Sequence, residues 1–312
     1  MDKQITIGIP RALLYHKYRV LWENFFKELN CKIITTPETN AQILKDGLNL
    51  AVDESCLAVK IYLGHVNYLK DKVDYILVPR IVSLVKKEQT CTKFMGLYDI
   101  INNSFDDLKI LEYNVDQNIG KTEMKGFVEM GLKICPDKQR VLKAYLKAKN
   151  IYEEDHENKV RLQEEKLKKD SSLKILIISH PYTIYDGLVG KNIINFLEKE
   201  NVDLLYGDVV DHEKARILGG QISTDLYWTY NKEFLGAIEM YKDKIDGIIY
   251  AVSFPCGPDA LFVDFAMIKY PKIPALNLTI DELQGQAGLM TRLESFVDIL
   301  RFKRKKQENE RK

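Results

Sequence analysis

Ile245-Asp246-Gly247-Ile248-Ile249-Tyr250-Ala251-Val252-Ser253-Phe254-Pro255-Cys256-Gly257-Pro258-Asp259 is the stretch on which the fold class turns. Its first half is apolar with almost no polar alternation. Its second half is a rigid Pro/Gly loop holding a cysteine. A short apolar run without alternation is a strand covered on both faces, as in parallel sheets flanked by helices. Outward from it, Ile5–Ile9, Lys32–Thr35, Val73–Val78, Leu108–Tyr113, Leu173–Ile178, Val202–Tyr206 and Ile273–Leu278 read the same way. Between them, apolar residues recur at helical spacing: Leu14, Tyr18, Leu21, Phe25, Phe26 and Leu29; then Ile43, Leu44, Leu48 and Leu50, capped by Thr39 or Asn40; and a helix following Cys56. The second half adds Ile193, Ile194, Phe196 and Leu197, and a closing helix at Ala287–Phe302 with Leu289, Leu293, Phe296, Val297 and Leu300 on one face.

The order strand, helix, strand repeats in both halves of the chain. The reading is α/β: two Rossmann-like, doubly wound parallel-sheet lobes related by an internal repeat, joined by a long charged helical connector. The boundaries are 1–120 for the N-terminal lobe, 121–171 for the connector and 172–312 for the C-terminal lobe with its closing helix. The connector is carried by the highly charged stretch 137–168, which ends at Asp170-Ser171-Ser172. The repeat rests on offsets. Ile7 precedes Tyr75 by 68 residues, and Leu176 precedes Gly247 by 71. Cys91 and Cys256 each follow an apolar run, and each is followed 25 residues later by an aspartate, Asp116 and Asp281.

At 312 residues the chain exceeds one typical core and suits two. A net charge of +1 gives no field toward nucleic acid or anionic lipid. The basic stretch 301–306 and the polar residues after it read as a frayed, solvated tail. No signal peptide and no apolar run of membrane length is present, so neither a nucleic-acid nor a membrane partner is expected. Five cysteines in a lysine-rich chain fit a reducing compartment, and a cytoplasmic location is expected.

Ligands of open parallel sheets bind beyond the carboxyl ends of the strands. Pro10-Arg11, Pro79-Arg80, His180-Pro181-Tyr182, Cys91 and Cys256 all follow strand-like runs. Cys31 and Cys135 read as small buried residues. Cys56, Cys91 and Cys256 lie in polar or Pro/Gly segments at element boundaries. Thiolates favour zinc or iron–sulfur clusters; with His180 as a fourth ligand the set becomes a Cys3His zinc site. Arg11 and Arg80 either bind a phosphate or carboxylate or pair with Asp53, Glu54, Asp116 or Asp281. His65, His156 and His212 read as surface or capping residues. The stretch 187–192 lacks the first glycine and the Ser/Thr of a phosphate loop, so it reads as a turn that opens a helix.

Seven blocks in order carry a resemblance: Ile7-Gly8-Ile9-Pro10-Arg11-Ala12-Leu13, Thr36-Pro37-Glu38-Thr39-Asn40, Ala51-Val52-Asp53-Glu54-Ser55-Cys56, Val78-Pro79-Arg80, Thr90-Cys91-Thr92-Lys93-Phe94, Cys256-Gly257-Pro258-Asp259 and Asn277-Leu278-Thr279-Ile280-Asp281-Glu282. Together they resemble the activase-related family of 2-hydroxyacyl-CoA dehydratases, from Ile5 to about Leu300. That family occurs alone or fused to ATP-hydrolysing activase domains. The resemblance implies one [4Fe-4S] cluster in a cleft between lobes, held by Cys56, Cys91 and Cys256. It also implies an ATP-dependent activase or dehydratase subunit as partner. The cluster would serve low-potential electron transfer or reductive chemistry on a small substrate, possibly a CoA thioester, with Arg11, Arg80, His180 and Lys93 as anchoring or proton-donating candidates. The other reading is a non-catalytic assembly module with a structural zinc ion or no metal.

Overall fold

The computed structural model describes residues 4–168, 172–283 and 285–310. The end of the expected connector at Asp170-Ser171 and the last two residues of the expected tail lie outside them. The chain divides into two compact units, Met1–His156 with Tyr227–Thr229, and Glu157–Leu226 with Tyr230–Lys312.

The N-terminal unit opens with β1 (Thr6–Ile9), α1 (Tyr15–Glu28), β2 (Lys32–Thr35), α2 (Ala41–Leu50) and α3 (Leu57–Leu69). It continues with β3 (Tyr75–Leu77), β4 (Arg80–Ser83), α4 (Thr92–Met95), α5 (Leu97–Ser104), β5 (Ile110–Leu111), β6 (Asn114–Asp116) and α6 (Glu123–Leu132). Its main sheet is parallel, in the order β2-β1-β3-β5. α1 starts at Tyr15, just after Leu13, whose left-handed φ of 48° cannot belong to a helix. Asn40 caps α2, accepting from Gln42 N and Ile43 N. Phe25, Phe26, Phe127, Tyr113 and Tyr145 form a buried aromatic cluster beside the sheet.

The charged stretch becomes one helix, α7 (Lys138–Leu167). Its apolar positions Val141, Ala144, Tyr145 and Ala148 are buried at helical spacing. Gln163, near its end, is buried too, and exchanges hydrogen bonds with the backbone of Tyr206 while donating to Val209 O.

The C-terminal unit contains β7 (Lys174–Ile178), α8 (Pro181–Ile184), α9 (Lys191–Lys199), β8 (Asp203–Tyr206), α10 (His212–Ile222) and α11 (Thr229–Tyr241). It ends with β9 (Gly247–Ser253), α12 (Gly257–Lys269), β10 (Ala275–Ile280) and α13 (Gln286–Glu310). Its sheet is parallel, in the order β8-β7-β9-β10. β7 and β9 are buried throughout, as their unbroken apolar runs require.

The two sheets share one topology, and the repeat has a measurable offset. Gly47 and Gly64 let α2 and α3 cross so closely that a Cβ would lie 1.9 Å from Lys60 O and Ile43 O respectively. Gly219 and Gly236 do the same for α10 and α11, at 2.0 Å from Lys232 O and 1.7 Å from Ala215 O. Glycines and contacted carbonyls alike stand 172 positions after their counterparts. So does Asp246 after Asp74, and each carboxylate accepts from the strand beside it, Lys174 N and Thr6 N, at 2.8 Å. On the last strand the offset falls to 165: Ile76 pairs with Ile110, and Ile248 with Ala275. The N-terminal unit spends seven more residues between those strands, on an excursion that includes β4 and α4.

Several expectations need correction. The offsets of 68 and 71 residues taken from the sequence become 68 and 72 between paired residues, Ile7 with Tyr75 and Ile175 with Gly247. The β4–β6 ladder, a separate two-stranded sheet, was not anticipated. α10 and α11 had no assignment, because their glycines interrupt the apolar pattern that marks a helix; tertiary crossing requires those glycines. The tail is not frayed as far as Glu310: α13 continues to it, with Arg301 donating to Glu200 O and Arg304 to Ser172 O. Among the described residues no helix is long and apolar enough to cross a membrane.

Candidate functional site

Cys56, Cys91 and Cys256 share one local geometry. Each is the N-cap of a helix, α3, α4 and α12 respectively, with extended backbone. Each is half-buried, as are Cys31 and Cys135, which are therefore not the buried residues expected from the sequence. Cys31 and Cys135 do not cap helices, and burial with a neighbouring Cys135 pushes the Cys31 thiol up to about 11. N-terminal helix dipoles and N–H groups favour thiolate over thiol.

In the N-terminal unit, burial pushes the Cys56 thiol up, while the N–H groups of Val59 and Ala58 and the Lys93 ammonium oppose it. Lys93 is two residues from Cys91, so the Cys91 turn and the start of α3 are electrostatic neighbours. The Cys91 loop is tightly held. Thr90 N bonds to Val82 O at 2.9 Å, and Thr90 Oγ1 donates to Ile81 O. Gln89 pairs with 227–229, accepting from Thr229 N at 3.0 Å and donating to Tyr227 O at 2.9 Å. Asn118 accepts from Lys87 N and donates to Glu88 O.

In the C-terminal unit, Cys256 belongs to a buried polar cluster at the carboxyl ends of β7 and β9. Asp259 Oδ1 lies 3.1 Å from His180 Nε2 and 2.8 Å from Asn231 Nδ2, and Cys256, the cap three residues earlier, is an electrostatic neighbour of Asp259. Burial pushes the Asp259 carboxyl up, but His180, Asn231 and Cys256 outweigh it and hold it below the usual carboxylate range. The His180 ring stacks on Tyr182, centroids 4.8 Å apart and 11° between planes, with Phe234 and Tyr230 at 5.1 and 5.7 Å. Thr183 Oγ1 and Ser253 Oγ meet at 2.8 Å beside it.

The arginines part company. Arg11 pairs with Glu38 at 3.0 Å, not with any of the four expected acids, because the loops after β1 and β2 lie side by side. Its backbone N–H bonds to Thr36 Oγ1, which also contacts His65 Nδ1 at 2.6 Å, and His65 Nε2 meets Thr39 Oγ1 at 2.9 Å. His65 is fully buried, not a surface residue. His212 also has a partner, with Nδ1 3.0 Å from Glu233. Arg80 opens β4, its N–H bonded to Tyr113 O. Asp116 and Asp281 each turn inward on the chain, accepting from the N–H two residues on, Asn118 and Leu283. The stretch 187–192 is the turn that opens α9: a Cβ on Gly190 would lie 2.3 Å from two carbonyl oxygens, leaving no cradle for a phosphate there.

Asp259 and Asn231 were missed as members of the cluster. The signal for Asp259 was local, an acid at the third position of a helix opened by Pro-Cys-Gly-Pro. Asn231 had none, since 28 residues separate it from Asp259. Among the described residues no three His, Cys, Asp or Glu side chains are gathered as a metal site. Thiolates are the ligands that soft metals select, and what sets Cys56, Cys91 and Cys256 apart from the other two cysteines is their N-cap position, not their burial.

No curated protein matches the chain. Solved structures with some likeness include the SBP FpvC with Ni2+ from P. aeruginosa, at 9% identity over 96% of both chains with a TM-score of 0.30. ZnuA follows at 11% identity over 96% of this chain and 99% of that one, TM-score 0.30. A Zn(II)-bound variant of AdcAII from Streptococcus pneumoniae has 11% identity over 96% and 98%, TM-score 0.28. At these scores they carry no argument about this chain. The family described as CoA enzyme activase uncharacterised domain matches residues 6–210, about two thirds of the chain, including Cys56, Cys91 and His180. The chain belongs to that CoA enzyme activase-related family.

Proposed function

We propose that this protein is an iron–sulfur member of the 2-hydroxyacyl-CoA dehydratase/activase system, with Cys56, Cys91 and Cys256 as ligands of one [4Fe-4S] cluster. The observation that carries the reading is the shared N-cap position of those three cysteines, which Cys31 and Cys135 do not have. Such a cluster, when bound, supplies a low-potential electron or an open iron that accepts an oxygen ligand. The chain's own residues supply the rest. Lys93 brings positive charge to the Cys56 end, and His180 is a buried imidazole able to hold or pass a proton. Arg11 and Arg80 are the guanidinium candidates for an anionic group, and at Arg11 an incoming anion would compete with Glu38. An ATP-dependent activase or dehydratase subunit is the proposed partner, a small CoA thioester the proposed substrate class, and the cytoplasm the proposed location.

The test is iron content and electron paramagnetic resonance on anaerobically isolated protein. Four irons per chain are expected in the wild type and in Cys31→Ser, and less than half of that in Cys91→Ser and Cys256→Ser. Equal loading of all three variants would remove these ligands. Stoichiometric zinc in colourless protein would instead support the assembly-module reading.

A further inference from the structure

Asp259 stands at the third position of α12, where a carboxylate ordinarily turns back to the backbone N–H of the capping residue. Here it does something else. One oxygen, Oδ1, takes both His180 Nε2 and Asn231 Nδ2, and Cys256, the cap of the same helix three residues earlier, is an electrostatic neighbour of the same carboxylate. These partners come from three separate segments of the C-terminal unit: the loop after β7, the start of α11 and the cap of α12. Asp259, His180 and Asn231 are 6%, 7% and 3% exposed. Removing a member of so dry a network leaves its partners unsatisfied, so the network acts as one unit. A carboxylate only accepts, so His180 carries its hydrogen on Nε2, and Asp259 thereby selects the tautomer. The stacked Tyr182 and the flanking Phe234 and Tyr230 leave the ring little freedom to turn.

We propose that Asp259 is the positioning residue of this site, fixing with one buried carboxylate both the Cys256 loop and the His180 tautomer. The proposal rests on the reading of Cys256 as a metal ligand, but two of its readouts need no metal. In iron-free full-length protein labelled with 15N-histidine, the wild type shows His180 as the Nε2–H tautomer, and amide exchange over 253–260 is slow. Asp259→Ala is expected to mix the tautomers, speed that exchange at least tenfold, and weaken iron retention on reconstitution by about 10- to 100-fold. Asp259→Asn keeps an acceptor oxygen and is expected to retain most of the loop protection and most of the iron. Should Asp259→Ala fail to fold, Asn231→Ala removes a single partner and is expected to show the same changes in smaller degree. An unchanged tautomer together with unchanged exchange overturns the proposal, whatever the iron content. So does iron loss in Asp259→Asn equal to that in Asp259→Ala with the loop still protected, since charge would then matter and position would not. Normal iron in Cys256→Ser, by contrast, sinks the ligand assignment and leaves the two metal-free readouts to judge Asp259.

Discussion

His65 shows what a single residue decides. It lies within α3 with no solvent exposure, and both ring nitrogens meet hydroxyls of threonines in the segment after β2, Thr36 and Thr39. Burial first, then the positive charge of His16 and Arg11, pushes its pKa down to about 3. The folded state therefore holds this imidazole neutral, while the unfolded chain protonates it near 6.5. Its contribution to stability is complete above about pH 6.5 and is lost as pH falls toward 3, at up to about 1.4 kcal/mol per pH unit. His65→Gln is expected to be less stable than wild type at pH 7 but to lose less stability between pH 6.5 and 5. Denaturant unfolding at several pH values measures this; parallel pH profiles would show that His65 does not carry the dependence. The cysteines were legible at this scale as residues and as boundary positions, since Pro, Gly and polar neighbours mark helix starts. Their burial and the Asp259 cluster were not, because those depend on segments tens of residues away.

Two helix pairs carry the close contacts of the fold. α2 with α3, and α10 with α11, cross where glycine meets a carbonyl oxygen, so their backbones touch with nothing between. Gly64→Ala and Gly236→Ala each force a methyl group into a backbone oxygen and are expected to cost about 3 kcal/mol, the upper range for overpacking. Gly257, at the start of α12, has open space where its Cβ would stand. Gly257→Ala is expected to change stability by less than about 0.5 kcal/mol. Thermal unfolding of the three variants compares them, and a tolerated Gly236→Ala would mean that the α10–α11 crossing is looser than described. Strands β7 and β9 were readable because unbroken apolar runs have one use in a parallel sheet. α10 and α11 were not, because a glycine lowers helix propensity locally while the crossing that needs it is not local.

At the scale of the whole molecule, the chain carries one four-stranded topology twice, on units that differ residue by residue. Position 65 of the first corresponds to Ala237 of the second, 172 positions on, so the buried histidine belongs to one unit alone. The chain end belongs to the core of the second unit: Phe296 and Leu300 lie against Gly247, and Arg301 and Arg304 tie α13 to Glu200 and Ser172. Removing residues 300–312 is expected to lower the melting temperature by at least about 2 °C, as follows from losing about 1 kcal/mol or more in a unit of this size. Removing the last two residues is expected to leave it unchanged. Equal melting of both truncations would return the tail to the role of a solvated arm.

The amino-acid order alone determined the α/β class, the parallel sheets and the family, because hydrophobic periodicity and ordered motif blocks are local properties of the chain. Tertiary structure decided the rest. It chose Glu38 as the partner of Arg11, buried His65 between two threonines, closed the helix pairs on glycine, and gathered His180 and Asn231 on the Asp259 carboxylate. Each of these is a contact between segments far apart in sequence, where short-range spacing holds no information and only packing sets the distance.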